Sequence, residues 1–437
     1  MQQVANFGTP TARDHGADMI KLIEELYPIC RSLTGDGVRY TFDLLKNHVP
    51  VTTYEVPSGT HVFDWEVPKE WNIKGGWIKG PKGEKIVDFA DSNLHVLNYS
   101  VPVHKKVGLE ELKSHLFSLP EHPDWIPYRT SYYNENWGFC LSHRQLESLE
   151  EGEYEVFIDS TLAPGSLTYG EVYLPGETEE EILLSTHICH PSLCNDNLSG
   201  IAVMVELIKA LQELPHRRHS FRFIFIPTTI GSITWLARNE ANTHKIKHGL
   251  VATLLGDGHP FTYQKTRNGK LEIDKVATHA LINSGQPFEI QQFNPFGFDE
   301  RQFSTPGFQL PVARLTRSTL YTYREYHSSA DNIDAISPTY LKESLDMYLK
   351  ICLILDRNCK YMNLVPKGEV RLGKRGLYHK IGGNSQHMSD QMAMLWILNY
   401  ADGTHDLVDI ANDSGIPFDK IYEIALILKD KDLLAEA

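Results

Sequence analysis

The stretch Thr186-His187-Ile188-Cys189-His190-Pro191-Ser192-Leu193-Cys194-Asn195-Asp196-Asn197-Leu198-Ser199-Gly200 decides the reading of this chain. An apolar run, Ile182-Leu183-Leu184, precedes it, and the helical pattern IAVMVELIKAL follows it. Two histidines, two cysteines and one carboxylate therefore fall in a short strand-to-helix connection. Open α/β sheets place their ligand sites at the carboxyl ends of strands. Imidazole, thiolate and carboxylate are the side chains that hold Zn²⁺. The segment is a metal-site candidate on residue chemistry alone. Taken singly, each residue has a plainer use: Asp196 serves equally well as a helix N-cap, and His190, before Pro191, as a turn residue bonded to backbone.

A second feature lies far downstream. In YREYHSSADNIDAISP, Tyr323 to Pro338, His327 stands between an aromatic run and a polar turn. A zinc site assembled across a fold needs such a distant histidine.

Together, DNLSG (Asp196–Gly200) and YHSSADNID (Tyr326–Asp334) resemble the signature of zinc aminopeptidases of the leucyl-aminopeptidase-like type. More of the chain is similar to a bacterial aminopeptidase-like family that is often attached to polysaccharide-biosynthesis gene clusters. The segments that carry this resemblance are RSLTGDGVR (31–39), IPYRTSYYNENWGFC (126–140), THICHPSLCNDNLSG, FDERQFSTPGF (298–308), YHSSADNID and LGKRGLY (372–378). The resemblance extends from about residue 15 to 380. The resemblance implies His187 as first zinc ligand, Asp196 as bridging carboxylate and His327 as closing ligand. It further implies a cis bond between Asp196 and Asn197, and Asp257, in LVATLLGDG, as a carboxylate at another strand end.

The chain departs from the zinc enzymes at two points. Their Glu-Glu pair, general base followed by ligand, is here Thr228-Thr229, after the strand FRFIFIP. A threonine hydroxyl cannot accept a water proton as a glutamate does. The acidic residue that follows the first ligand by two positions and orients it is here Cys189. Glu300, in PFGFDERQF, is the candidate to supply the missing carboxylate as base or ligand; a surface glutamate is the plainer reading. Arg267, Arg301, Arg317 and Arg324 are candidates to clamp an anionic substrate group, or equally to form ordinary salt bridges. Tyr326, beside His327, completes the expected substrate-binding set.

The remaining sequence bounds the protein. Lys and Arg number 42 and Asp and Glu 56, a net charge of −14, which argues against an extended nucleic-acid footprint. No run approaches the roughly 18 apolar residues of a membrane span. The opening MQQVANFGTPTARDHG lacks the charged-then-apolar order of an export signal. Six cysteines in 437 residues do not make a disulfide framework, so a cytoplasmic location is expected.

The expected fold is an α/β, zinc-aminopeptidase-like core with a mixed central sheet, formed by residues 1–49 and 155–362. Residues 50–154, rich in Trp, Tyr, Pro and Gly, form a small β-rich insert. Residues 363–437 read as three short helices and a wing, a winged-helix domain. From 360 onward there are nine Lys/Arg against eleven Asp/Glu, a net of −2. A winged helix that grips DNA needs a basic face, so an assembly role and a homo-oligomer are expected here. The function expected is that of a zinc-dependent hydrolase acting on an amide of a small amino-acid-like or amino-sugar-like metabolite. The alternative is a metal-retaining binding or scaffold protein, or an acyl or amide transferase.

Overall fold

The structure is a computed structural model that describes residues 14–320, 322–377 and 385–437. The opening residues 1–13, on which the expectation of no export signal rests, and linker residues 378–384 lie outside the described residues. The chain divides into two compact units: Asp14–Leu271 with Pro287–Leu349, and Glu272–Gln286 with Lys350–Ala437. The sequence reading assigned 272–286 and 350–362 to the α/β core; here they group with the C-terminal residues.

The larger unit is built on an eight-stranded mixed sheet. Its strands are β1 (Thr52–Pro57), β2 (Ser166–Leu174), β3 (Glu181–His187), β4 (Ser220–Ile226), β5 (Ile246–Ala252), β6 (Phe261–Gln264), β7 (Phe288–Gln291) and β8 (Val312–Thr316). Their order across the sheet is β1-β2-β4-β3-β5-β8-β6-β7. The central strands β4, β3, β5 and β8 run parallel, while β1, β2 and β6 introduce antiparallel pairs. Parallel strands are covered on both faces and read as continuous apolar runs. β3, EILLSTH, is buried at every position. It lies between β4 and β5, so its carboxyl end opens at the middle of the sheet edge.

Helix α1 (His15–Leu26) shows why these segments coil. Met19, Leu22, Ile23 and Leu26 recur at helical spacing and are all buried, and the Asp14 side chain accepts from Ala17 N at 3.1 Å as N-cap. Helix α2 (Asp36–Leu45) follows the turn TGDG. Helix α3 (Ser199–Gln212) buries eleven of its fourteen residues and packs on β3. It starts directly after the metal-candidate loop, so a rigid helix anchors that loop's far end.

Four antiparallel strands, 70–79, 85–88, 103–108 and 153–163, make a separate sheet in the order 85–88, 70–79, 153–163, 103–108. The β-rich character read from the sequence is this sheet, whereas β1, at 52–57, belongs to the central one.

The smaller unit holds the helices Glu272–Ile282, Ser385–Tyr400, Leu407–Ser414 and Phe418–Asp430, and a three-stranded sheet of 402–406, 360–363 and 434–436. Asp406 caps Leu407–Ser414 in a reciprocal capping box with Asp409, and Gly415 ends that helix in the left-handed region at φ 67°. Among the described residues, no helix is long and apolar enough to cross a membrane.

Candidate metal centre

His187 is the last residue of β3, and the chain turns there toward α3. The turn is tight enough to demand glycine at its end. A Cβ on Gly200 would lie 2.4 Å from Asn197 Oδ1, 2.7 Å from Thr186 Oγ1 and 2.8 Å from Ala252 O. The Asp196–Asn197 peptide bond is cis.

This turn folds His187, His190 and Asp196 together, with one potential ligand atom from each lying within 4.8 Å of the others. His187 Nε2 is 2.8 Å from Asp196 Oδ1. His327 arrives from the distant loop and sets Nε2 3.1 Å from Asp196 Oδ2. The His190 ring lies between the other two, its centroid 4.9 Å from His187 and 5.0 Å from His327. Of the two uses the sequence allows His190, a place in the metal-candidate segment and a turn residue, the structure brings it into the cluster.

Three of these residues are buried and the fourth opens outward. His187 and Asp196 are nearly inaccessible and His190 is 6% exposed, whereas the His327 side chain is 27% exposed. Tyr326 stacks on His327 at 3.9 Å, and the Tyr128 ring meets both His190 and His327 edge to face. Burial opposes a charge on Asp196, yet His190, His187 and His327 outweigh it and hold its carboxyl well below the usual carboxylate range. Burial, aided by the neighbouring imidazoles, holds His190 well below the ordinary histidine value, so its ring is neutral with a lone pair free.

The donor set suits a divalent transition metal. Three imidazoles and a carboxylate are zinc-type ligands. His187 Nδ1, Asp196 Oδ2 and His327 Nε2 are buried without a hydrogen-bond partner. Native structures seldom leave such atoms unsatisfied, and a coordinated ion would use the last two.

The surrounding residues fall into two groups. Asp331, within the second motif, clamps the two loops together. Its Oδ1 accepts from Asn195 N at 2.6 Å and Tyr323 Oη at 2.8 Å, and its Oδ2 accepts from Asp196 N at 2.9 Å. Burial pushes its carboxyl up to about 7. The sequence reading quoted this aspartate in a motif without giving it a role.

Asp257 is not brought into the cluster. Asn195 Nδ2 (2.6 Å) and Ser318 Oγ (2.5 Å) donate to its Oδ2, and His259 N (2.8 Å) donates to its Oδ1. Glu300 is buried rather than exposed, and its Oε1 accepts from Arg314 at 2.7 Å and from Gln264 and Phe298 N at 3.3 Å. Its Oε2 is buried without a hydrogen-bond partner, and Glu300 is not a member of the His187, His190 and Asp196 cluster. Its neighbour Asp299 instead meets the Thr228-Thr229 turn, accepting from Thr229 N and Ser232 Oγ at 2.9 Å each. Cys189 faces the same turn, its Sγ accepting from Thr228 N at 3.3 Å, and burial pushes its thiol up to about 12.

The arginines divide as well. Arg301 is half-buried and donates to Thr229 Oγ1 at 3.3 Å. Arg324 is exposed, over the Trp125 ring, and Arg267 is exposed in the loop after β6. Arg317 is buried in bonds to Ser344, His259 O and Glu343, the salt-bridge alternative.

Comparison with known proteins agrees with this architecture. A family described as a domain of unknown function, DUF4910, matches residues 20–358, and a winged helix-turn-helix family matches residues 359–436. A Clostridium acetobutylicum protein, named for polysaccharide biosynthesis and an aminopeptidase-like domain, is 51% identical over 419 residues, covering 96% of each chain. A crystal structure from C. acetobutylicum, called a peptidase by name, superposes with a TM-score of 0.91 at 49% identity, covering 97% of this chain and 96% of that one. The zinc aminopeptidase BSAP of Bacillus subtilis shares the fold at 13% identity, with a TM-score of 0.57 over 79% of this chain and 94% of that one. The chain belongs to the DUF4910 family, on an aminopeptidase-like α/β fold that continues into a winged helix.

Proposed function

We propose that this protein is a zinc-dependent hydrolase of the aminopeptidase or amidase kind, acting on an amide of a small amino-acid-like or amino-sugar-like metabolite. The observation that carries the reading is the convergence of His187, His190 and His327 on the buried carboxylate of Asp196. When bound there, zinc supplies Lewis acidity, polarising an amide carbonyl.

The chain's own residues have definite tasks in this reading. Burial keeps the phenol of Tyr326 protonated far above neutral pH, so it donates a hydrogen bond beside His327, on the open side of the cluster. Arg301, next to the Thr228-Thr229 turn, offers guanidinium donors to an anionic substrate group. Asp331 keeps the His327 loop and the Asp196 turn in register. A site held on two strand-end loops by such bonds is pre-organised rather than assembled on binding.

Thr228-Thr229 favours a second reading, a metal-retaining binding or scaffold protein or a transferase, because no carboxylate stands there to take a water proton. The two readings separate when zinc-loaded protein is incubated with aminoacyl and N-acyl amino-sugar amides. Release of amine, lost in Tyr326→Phe and Asp196→Ala, is the result for a hydrolase. Zinc-dependent ligand binding with no amine released is the result for the alternative.

For the C-terminal domain, the proposal is a role in assembly of a homo-oligomer and no binding of DNA, given the net charge of −2 from residue 360 onward. A gel-shift titration of the full chain with duplex DNA should show no salt-sensitive binding; micromolar affinity that falls steeply with salt would reverse it.

A further inference from the structure

Metal-ligating histidines almost always donate the second ring N–H to a carboxylate, backbone carbonyl or water, which fixes the tautomer and raises ligand basicity. His187 has no such partner: its Nδ1 is buried and unbonded. Cys189 occupies the position two residues on and turns its sulfur to Thr228 N instead.

Asp299 is buried in the same region. Its neighbour Phe298 stacks on the His187 ring, centroids 5.7 Å apart and planes 17° from parallel. Its Oδ1 is fixed by Thr229 N and Ser232 Oγ, at the start of the helix Ile230–Asn239. Its Oδ2 is buried with no partner at all. Burial raises its carboxyl above the ordinary value, and the largest offset to that cost is His187.

These two bonds explain Oδ1 only. An asparagine oxygen would accept both equally well without burying a charge, which is expensive unless paired. The orphaned Oδ2 and the orphaned Nδ1 of His187 are an acceptor and a donor of matching chemistry in one buried region. A divalent ion held by neutral imidazoles and Asp196 alone also leaves one positive charge uncompensated, which a second carboxylate balances.

We propose that Asp299 is the positioning carboxylate for His187: when the metal is bound, its Oδ2 would receive the Nδ1–H, direct Nε2 to the metal and balance the charge of the centre. The proposal rests on the zinc reading of the His187–Asp196 cluster. It assigns to a residue from another part of the fold the task that Cys189 cannot perform.

The test is competitive zinc titration of the full chain against a chelator, with the thermal midpoint of the apo-protein read beside it. Asp299→Asn keeps the Oδ1 bonds and removes the charge. It should lower zinc affinity about 10–100-fold, the range for such outer partners, while leaving the apo midpoint unchanged or higher. Ser232→Ala, which removes only one of the two Oδ1 bonds, should lower the apo midpoint and spare zinc affinity. Should Asp299→Asn not fold, Asp299→Ser takes its place, keeping a side-chain oxygen without the charge. Wild-type affinity in the Asp299 variant overturns the proposal. So does an affinity loss that Ser232→Ala reproduces, since Asp299 would then act only through the helix. A wild-type chain that takes up no zinc removes the metal reading itself, a result distinct from either.

Discussion

The central sheet carries buried histidines at both ends of its parallel strands, and the two ends differ in one respect. At the amino ends, His219 precedes β4 and His248 lies early in β5, both about 5% exposed, with rings 5.7 Å apart. The carboxylate nearby is Glu180, half exposed and 3.8 Å from His219. At the carboxyl ends, three imidazoles surround Asp196, which is fully buried. Burial, with His219 and Lys247 adding to it, holds His248 neutral, its value lowered to about 3. What marks the candidate metal centre is the buried carboxylate of Asp196 with imidazoles gathered around it. The lesson is to look for the carboxylate a protein has taken out of water, not for the histidines.

The largest effect that could break this comparison is at His190. His190→Ala should reduce zinc affinity at least tenfold in a chelator competition, because its ring lies between His187 and His327. Unchanged affinity would return His190 to the turn role its sequence context suggests. Replacing His219 and His248 together, by contrast, should leave zinc uptake unaltered; a lost equivalent of zinc there would erase the distinction between the two ends.

Gly200→Ala comes next. The added methyl meets Asn197 Oδ1, Thr186 Oγ1 and a backbone carbonyl, so the loop must shift. A loss of about 1–3 kcal/mol in denaturant unfolding is expected, with weakened zinc binding. A variant as stable as wild type would mean that the turn is looser than described.

The smallest effect concerns pH. The folded-state value of His248 is depressed from 6.5 to about 3, so the unfolded chain takes up the proton first. The stability tied to its neutral form is complete above about pH 6.5 and is lost as pH falls toward 3. His248→Asn should flatten the fall in stability over that window. An unchanged slope would show that other groups set it.

Much of the site was legible because the residues that carry it are local. His187 and Asp196 share one turn between an apolar strand and an apolar helix, and Gly200 is needed where backbones touch. His327 was legible only through its motif context, since 140 positions separate it from His187. Side-chain direction was not legible. Asp299 and Glu300 are adjacent and both buried, yet one faces the Thr228-Thr229 turn and the other Arg314. Asp257 lies in the loop that follows β5, and its oxygens accept from Asn195, Ser318 and His259. In the fold, β6, β7 and β8 are not legible in the sequence, because strands of four or five residues such as FTYQ, FEIQ and VARLT carry too few positions for a period to emerge. The edge strand β1 was hidden in a segment whose composition announces a separate sheet.

The central claim, that Asp196 and the imidazoles around it form a zinc centre, is tested most directly by elemental analysis. Protein purified without a histidine tag, and the same chain carrying Asp196→Ala, are exposed to excess zinc, desalted and measured by mass spectrometry. About one zinc per wild-type chain and close to none in the variant is the expected result. A wild-type chain that retains no zinc, or a variant that retains as much as wild type, would contradict it.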